Sequence, residues 1–372
     1  MAKIAFIDVT ATVSYGGIQT AIWSLAHALT AAGHAVTVVG GASETLRSYP
    51  DEIRRLTFPY VLRERFPNLG TRFRKLAERL SFAYCARKSV EAEKFDWIIL
   101  TKPFDFFWTK IIGTSGHTRF AFMSGGTDFV ALDRQLAPRI SAWLACSHFN
   151  AWQIRTRYKR FATVIFNGVD TTLFKPSQDR SNTRQALGFA ETDVVFAYAG
   201  RMVGWKGVAK IVEALAQLDF SATPAKLLLI GEGPNTNELK ALGQRLGVLD
   251  RIVFHPTVSH SELPAYYAAC DVGIFPSIGD EAFGITIAEA MSSGLPVIAS
   301  HVGGIPEVVG NEETCGLLVP PGNVELLAES MRKLALAPRL RQEMGDNARS
   351  RIEQLFTWQA AAQRMLIALD LV

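Results

Sequence analysis

Cysteine is scarce in this chain: four in 372 residues, Cys85, Cys146, Cys270 and Cys315, with no C-x-x-C pair among them. That spacing argues against a structural zinc site and against a disulfide framework, and it suits a reducing compartment. Long apolar runs are missing as well. The apolar-rich stretch at residues 97–112 is broken by Lys102, Pro103, Asp105 and Lys110, and no run reaches the roughly 18 apolar residues that a spanning helix needs. The opening MAKIAFIDVT enters a strand pattern without a basic-then-apolar leader, and the expectation is a cytoplasmic protein. No G-x-G-x-x-G follows the first strand, which speaks against an NAD-binding fingerprint. There is no D-x-D motif and no His/Asp cluster at ligand spacing, so neither a metal nor another cofactor is expected. Net charge is low too, +4 from 39 basic and 35 acidic residues. It is unevenly spread: residues 47–88 hold eleven Lys and Arg against four Asp and Glu, a local surplus of +7. A surplus held in one segment marks a candidate surface patch.

What is present is a chain too long for one ordinary core, with 48% hydrophobic and 20% charged residues, the balance of a folded two-domain protein. Short apolar runs alternate with helical patterns. Strands are expected at 3–7, 35–39, 97–100, 119–123, 143–146 and 163–166 in the first half, with a helix at 18–31. In the second half strands are expected at 194–198, 226–230, 252–254, 272–275 and 296–299, with helices at 208–218, 236–246, 261–269 and 285–293. Strands alternating with helices predict an α/β architecture with parallel sheets covered on both faces. The polar stretch KPSQDRSNT, residues 175–183, reads as a linker, which puts a domain boundary near residue 170. The tail from residue 324 is helical, with a break at Pro338.

Residues 277–310, SIGDEAFGITIAEAMSSGLPVIASHVGGIPEVVG, carry the most chemistry. Glu281 and Glu289 stand eight positions apart. Ala282, Phe283 and Gly284 form a short loop that feeds the helical run. A glycine-containing loop at a helix start presents unspent backbone N–H groups and the positive end of the helix dipole, which suits an anion. Ile285, Thr286 and Ile287 would be those donors. Glu289 lies one turn further in, about 5.4 Å, close to the step from a bound phosphate to the hydroxyls of an attached ribose. Arg201 and Lys206 follow the strand at 194–198, at the end where α/β folds bind ligands. An arginine fork and a mobile ammonium together suit a phosphate cluster.

The stretch resembles the E-x7-E signature of retaining family 4 glycosyltransferases. Five further segments agree with that family in order: Tyr15, Gly16 and Gly17 with its glycine-rich first loop, IFNGVDTTLFKP at 165–176 with its domain junction, YAGRMVGWKG at 198–207 with its G-R…K-G donor loop, LLLIGEGP at 227–234 with its G-x-G-P turn, and CGLLVPPG at 315–322 with its P-P-G element. The resemblance implies the GT-B fold: two Rossmann-like doubly wound domains facing across a cleft. It implies an N-terminal acceptor-binding domain over 1–169, a nucleotide-sugar-binding domain over 170–356, and a C-terminal helix over 357–372 that crosses back to the first domain. The activity implied is retaining transfer of a hexose-type sugar from a nucleotide diphosphate sugar, such as a UDP-sugar, to an acceptor. A lipid-linked or cell-surface glycan precursor, as in lipopolysaccharide synthesis, is the expected acceptor. By resemblance Arg201 and Lys206 hold the diphosphate, Glu281 the transferred sugar and Glu289 the ribose. Gly16, Gly17, Gly200, Gly231, His255, Phe283, Gly284, Ile285 and Thr286 complete the donor site. A glycosidase-like nucleophilic role for Glu281 is disfavoured, because the family places this glutamate against the sugar hydroxyls.

One departure concerns the acceptor side. Many members carry a histidine after the strand at 119–123, where this chain reads Ser124, Gly125, Gly126, Thr127 and Asp128. Ser124 and Asp128 are the candidates to replace it, and His117 reads as a loop residue. The basic segment 47–88 interleaves Phe66, Leu69, Phe73, Leu76, Leu80 and Phe82 with Arg72, Arg74, Lys75 and Arg79, a pattern that suits either a solvated helix face or an anionic membrane surface. No nucleic-acid-binding fold surrounds it, so nucleic acid is not an expected partner. Two other functions stay open: a nucleotide-sugar epimerase on the same fold, and a non-catalytic protein that only binds the sugar nucleotide.

Overall fold

A computed structural model describes residues 1–14, 16–42, 52–112, 116–126, 133–177, 180–222 and 224–372. Tyr15, Asp128 and residues 47–51 of the basic segment lie outside the described residues.

The chain divides into two compact units, Met1–Gly168 together with Trp358–Val372, and Val169–Thr357. The first is built on seven strands: β1 (Lys3–Ile7), β2 (Ala35–Gly41), β3 (Arg54–Phe58), β4 (Trp97–Leu100), β5 (Arg119–Ser124), β6 (Ala142–Ala145) and β7 (Thr163–Val164). Their order across the sheet is β3-β2-β1-β4-β5-β6-β7, and neighbours run parallel, with Ile4 opposite both Val36 and Trp97. Because successive side chains in a strand point to opposite faces, β1 feeds two cores at once. Ile4 and Phe6 pack with Ile22, Leu25 and Leu29 of the helix Gly17–Ala31 and with Trp358, Met365 and Leu366 of the C-terminal helix Trp358–Ala368. Ala5 and Ile7 pack on the other side with Phe82, Ala86 and Val90 of the helix Thr71–Ala92 and with Phe106 and Trp108.

The second unit repeats the plan with β8 (Val194–Ala199), β9 (Ala225–Ile230), β10 (Ile252–His255), β11 (Val272–Phe275), β12 (Val297–Ser300) and β13 (Gly316–Val319). The order is β10-β9-β8-β11-β12-β13. In each sheet the chain winds one way and then returns to the other side of its first strand. This reversal, between β1 and β4 and between β8 and β11, is where open α/β sheets bind ligands.

Several features depart from the sequence reading. β3 is an additional strand inside the basic segment. Its sequence RRLTF has no apolar alternation because it is the sheet edge, where only one neighbour and partial burial shape the pattern. β13 and the short helix Ile305–Val309 are further additions. The polar stretch at 175–183 is no linker between the units. It runs into the helix Ser181–Ala186 of the second unit, and Arg184 there is fully buried, donating to the carbonyls of Ala190, Asp193 and Ala269 and pairing with Asp271. No described helix is long and apolar enough to cross a membrane.

Candidate functional site

The loop that leaves β8 begins at Gly200 and carries Arg201 and Lys206. Arg201 is exposed, and its guanidinium forms no ion pair or hydrogen bond among the described residues. Lys206 lies beside Glu281, its ammonium donating to Glu281 Oε1. The same ammonium sits 4.6 Å from the centre of the Trp205 ring, within cation–π range. Trp205 also ties the two loops through its backbone: its carbonyl accepts the N–H groups of Ile278 (2.8 Å) and Gly279 (3.1 Å). The loops after β8 and β11 are therefore laced on either side of the sheet's reversal point. Tyr198, at the end of β8, donates its hydroxyl to the Arg201 carbonyl at 3.0 Å. Burial drives the Tyr198 pKa upward, the Glu281 charge adds to this, and the Arg201 charge opposes it, so both charges are felt by one phenol.

Glycine permits two close backbone approaches at this end of the sheet. Gly231 follows β9 with φ of 121°, and a Cβ there would collide with the Gly200 carbonyl oxygen. Next to it the Met202 N–H reaches Glu232 O (3.1 Å) and the Asn235 N–H reaches Met202 O (3.2 Å). Gly303 sits where a Cβ would strike the Glu281 carbonyl oxygen, and the Gly304 N–H donates to that oxygen at 2.8 Å. Glu281 is thus held twice, at its backbone by Gly304 and at its carboxylate by Lys206.

The helix Ile285–Ser292 starts behind Gly284. Among the described residues the expected donors Ile285 and Thr286 spend their N–H groups on no acceptor, as the first turn of a helix allows. Ile287 differs: its N–H closes onto Gly284 O at 3.1 Å, because the first turn is tight. The Phe283 side chain is buried edge-on against Phe356, so only its backbone can face a ligand. Glu289 is 4% exposed, and its Oε1 accepts from Nε2 of His260 at 2.8 Å. Burial pushes the Glu289 carboxyl up, while the His260 hydrogen bond and charge pull it back. Burial disfavours the His260 imidazolium, but Glu289 and then Asp170 outweigh it and raise its pKa above the ordinary 6.5.

His255 is committed inside the protein. Its Nδ1 lies 3.0 Å from Pro256 O and its Nε2 lies 3.1 Å from the Tyr266 hydroxyl. A carbonyl only accepts, so Nδ1 carries the proton and Tyr266 donates to Nε2. The His255 carbonyl accepts from the Gly231 N–H at 3.0 Å, so this residue braces the β9 turn.

Gly16, Gly17 and Ser124 belong to the first unit. Gly16 stands just before the helix Gly17–Ala31. The loop ahead of it is pinned by Gln19 Nε2 donating to Thr10 Oγ1 (2.8 Å) and by the Trp23 indole N–H donating to Ala11 O (2.8 Å). Ser124 is 1% exposed; its hydroxyl donates to Gly126 O and accepts from Asn150 Nδ2, each at 3.1 Å. It ties β5 to the helix His148–Tyr158. Asp128, the other acceptor-side candidate, lies outside the described residues. His117 is an exposed loop residue, 3.3 Å from Asp96. Among the described residues no group of three or more His, Cys, Asp or Glu stands together as a metal site.

Residues 15–173 match the description Glycosyltransferase Family 4, and residues 179–351 match Glycosyl transferases group 1. The chain belongs to the group 1 glycosyl transferases. It is 32% identical over 237 residues to an MMP alpha-(1->4)-mannosyltransferase of Mycolicibacterium hassiacum, a match covering 63% of this chain and 55% of that one. The chain spans about half the length of the curated relatives it matches. In structure it resembles sucrose-phosphate synthase from Thermosynechococcus elongatus, with a TM-score of 0.83, 24% identity, and coverage of 98% of this chain and 97% of that one. It likewise resembles HepE of Anabaena in complex with UDP and glucose, with a TM-score of 0.83, 22% identity and full coverage of both chains. These likenesses are of fold, and the fold is GT-B.

Within this glycosyl transferase, three residues of the site fall outside the sequence reading, and two of them carry no mark in the local pattern. His260 meets Glu289 across 29 positions, and nothing between them signals the contact. Tyr198 reads as a strand residue. Trp205 had a signal: an aromatic directly before a lysine is placed to share that lysine's surroundings.

Proposed function

We propose that this glycosyl transferase moves a hexose-type sugar from a nucleotide diphosphate sugar to a glycan or lipid-linked acceptor, with retention of anomeric configuration. The observation that carries the reading is the grouping at the β8/β11 reversal: Lys206 paired to Glu281, an Arg201 guanidinium with no ion pair among the described residues, and the open N-terminus of the helix Ile285–Ser292. A diphosphate entering there competes with Glu281 for Lys206. The ammonium and guanidinium take the phosphate oxygens, the Ile285 and Thr286 N–H groups add to them, and Glu281 is released to accept sugar hydroxyls. Glu289 meets the ribose. In the transfer step the bond from the anomeric carbon to the diphosphate oxygen breaks, the acceptor oxygen bonds to that carbon on the same face, and the acceptor proton passes to the leaving phosphate. The cations offset the charge that develops on the leaving group. A mannosyltransferase relative and a glucose-bound structural neighbour support a hexose.

We further infer an anionic membrane surface as a partner of the helix Thr71–Ala92 and the segment before it. Leu69 (71% exposed), Phe73, Leu80 and Tyr84 stand out from it beside exposed Arg65, Arg72, Arg87 and Lys88. Arg79 and Phe82 are not part of that face, because both are buried.

A thermal-shift panel of UDP-, GDP- and ADP-sugars tests the donor reading, since a ligand that binds the native state raises its melting temperature by mass action. One nucleotide class should stabilise the protein, and product should form only when an acceptor is added and should persist in EDTA. Conversion of the donor alone to an epimer, or no shift with any sugar nucleotide, would refute the transferase.

A further inference from the structure

The sequence reading gives His260 no role, yet among the described residues it makes the one hydrogen bond to the Glu289 carboxylate. Glu289 is the most buried carboxylate of the candidate site, and burial alone would favour its neutral form. Nε2 of His260 meets its Oε1 at 2.8 Å. The imidazole is held from behind by the fully buried Phe174, whose ring lies edge-on at 4.9 Å. Its side chain remains 44% exposed, so it stands between the carboxylate and solvent. The titratable groups facing it are Glu289 on the helix Ile285–Ser292 and Asp170 on the segment that opens the second unit. Tyr267, on the helix Leu263–Ala268, is in ring contact with Phe174 and feels the Glu289 charge. Asp170 spends Oδ1 on Thr172 and on the Leu173 N–H, so it contributes charge and makes no bond to the imidazole.

We propose that His260 is a positioning residue for the donor's ribose: by bonding one oxygen of Glu289 and supplying positive charge, it keeps that carboxylate ionised and turned so that its second oxygen receives the ribose hydroxyls. The proposal rests on the reading of the site as a nucleotide-sugar site. An ionised carboxylate is a strong acceptor for a hydroxyl and a protonated one is not. Donor affinity should therefore follow the protonation of His260. The native pKa of His260 is raised, so the charge and its contribution to binding are greatest at the acid end of the range and are lost as pH rises through that native value.

The test is calorimetric titration of the intact protein with UDP, GDP and ADP from pH 6 to 9, carrying the tightest binder forward. The 2′,3′-dideoxy form of that nucleotide serves as the control. His260→Ala should weaken binding of the ribonucleotide by roughly ten- to a hundredfold at pH 6 if a charge-assisted hydrogen bond is lost. The ratio of wild-type to variant affinity should shrink toward pH 9; the nucleotide's own phosphate titration cancels in that ratio. The dideoxy nucleotide should bind both proteins alike. His260→Gln keeps an N–H donor without the charge and should recover part of the affinity with a flat ratio; it also serves if the alanine variant does not fold. A ratio near one at every pH, or an equal loss for the dideoxy nucleotide, overturns the role of His260 while leaving the donor site standing. Wild-type protein that binds no nucleoside diphosphate overturns the functional reading and this inference together.

Discussion

Lys206 and Glu281 are 75 positions apart in the chain and in ionic contact in the folded unit. The pair is partly buried, with side-chain exposures of 21% and 11%, so each charge depends on the other for compensation. This gives the two residues separable signatures. If the site takes a nucleotide diphosphate sugar as proposed, Lys206→Ala removes a cation from the leaving diphosphate and should lower turnover by of order 10²–10³. Glu281→Gln removes the competitor for Lys206. It should leave nucleoside diphosphate affinity unchanged or tighter while turnover falls, because only the sugar contact is lost. Titration with the free nucleotide beside steady-state kinetics separates the outcomes, and weaker diphosphate binding in Glu281→Gln would show that the carboxylate does not restrain the lysine.

At the scale of elements, the helix Thr71–Ala92 is attached to the first sheet through a buried charge cluster. Arg79 pairs with Asp105 and reaches Asp8 Oδ1 at 3.2 Å, at the C-terminal ends of β4 and β1. Asp8 also accepts from the Thr101 hydroxyl (2.5 Å) and from Thr10. Burial opposes the Asp8 charge, but Arg79 and these hydrogen bonds hold its pKa below the ordinary value. Asp105 goes the other way: burial pushes it up to about 7, against the pull of Arg79 and with Asp8 adding repulsion. One guanidinium does not neutralise two carboxylates. A native pKa above the unfolded value of about 3.9 means that the folded protein keeps a proton the unfolded chain has released. Stability from this group falls as pH rises between those values and reaches its floor above 7. The wild-type melting temperature should decline from pH 5 to pH 8 relative to that of Asp105→Asn, which cannot titrate. Parallel pH curves for the two proteins would remove Asp105 as the source.

At the scale of the whole molecule, the basic surplus read from the sequence divides into two uses. Arg79 serves the core and Arg54 pairs with Glu93, while Arg65, Arg72, Arg87 and Lys88 remain exposed beside apolar side chains. If the exposed set meets lipid, the protein should sediment with vesicles containing anionic lipid, and added salt should release it. Each basic residue near such a surface contributes about 1 kcal/mol. Replacing Arg72, Arg87 and Lys88 with alanine should therefore cut the bound fraction sharply without lowering the melting temperature. Equal sedimentation with zwitterionic vesicles would rule out the electrostatic part.

The alternation of apolar runs with helical patterns determined by itself that this is an α/β chain of parallel strands, because a strand covered on both faces must be apolar at nearly every position. Strands such as Lys3–Ile7 and Trp97–Leu100 have the same bounds in the sequence reading and in the structure. The glycine turns and the Glu281-to-Glu289 spacing were equally legible, since each is set by residues close together in the chain. Tertiary structure alone decided the partners. That Arg79 and Arg184 are buried follows from carboxylates and carbonyls supplied by distant segments, and a sequence pattern registers only that an arginine is usually outside. The pairing of His260 with Glu289, of Lys206 with Glu281, and of Arg79 with Asp105 and Asp8 arises where helices and loops that follow different strands meet, and only the folded path of the chain brings those segments together.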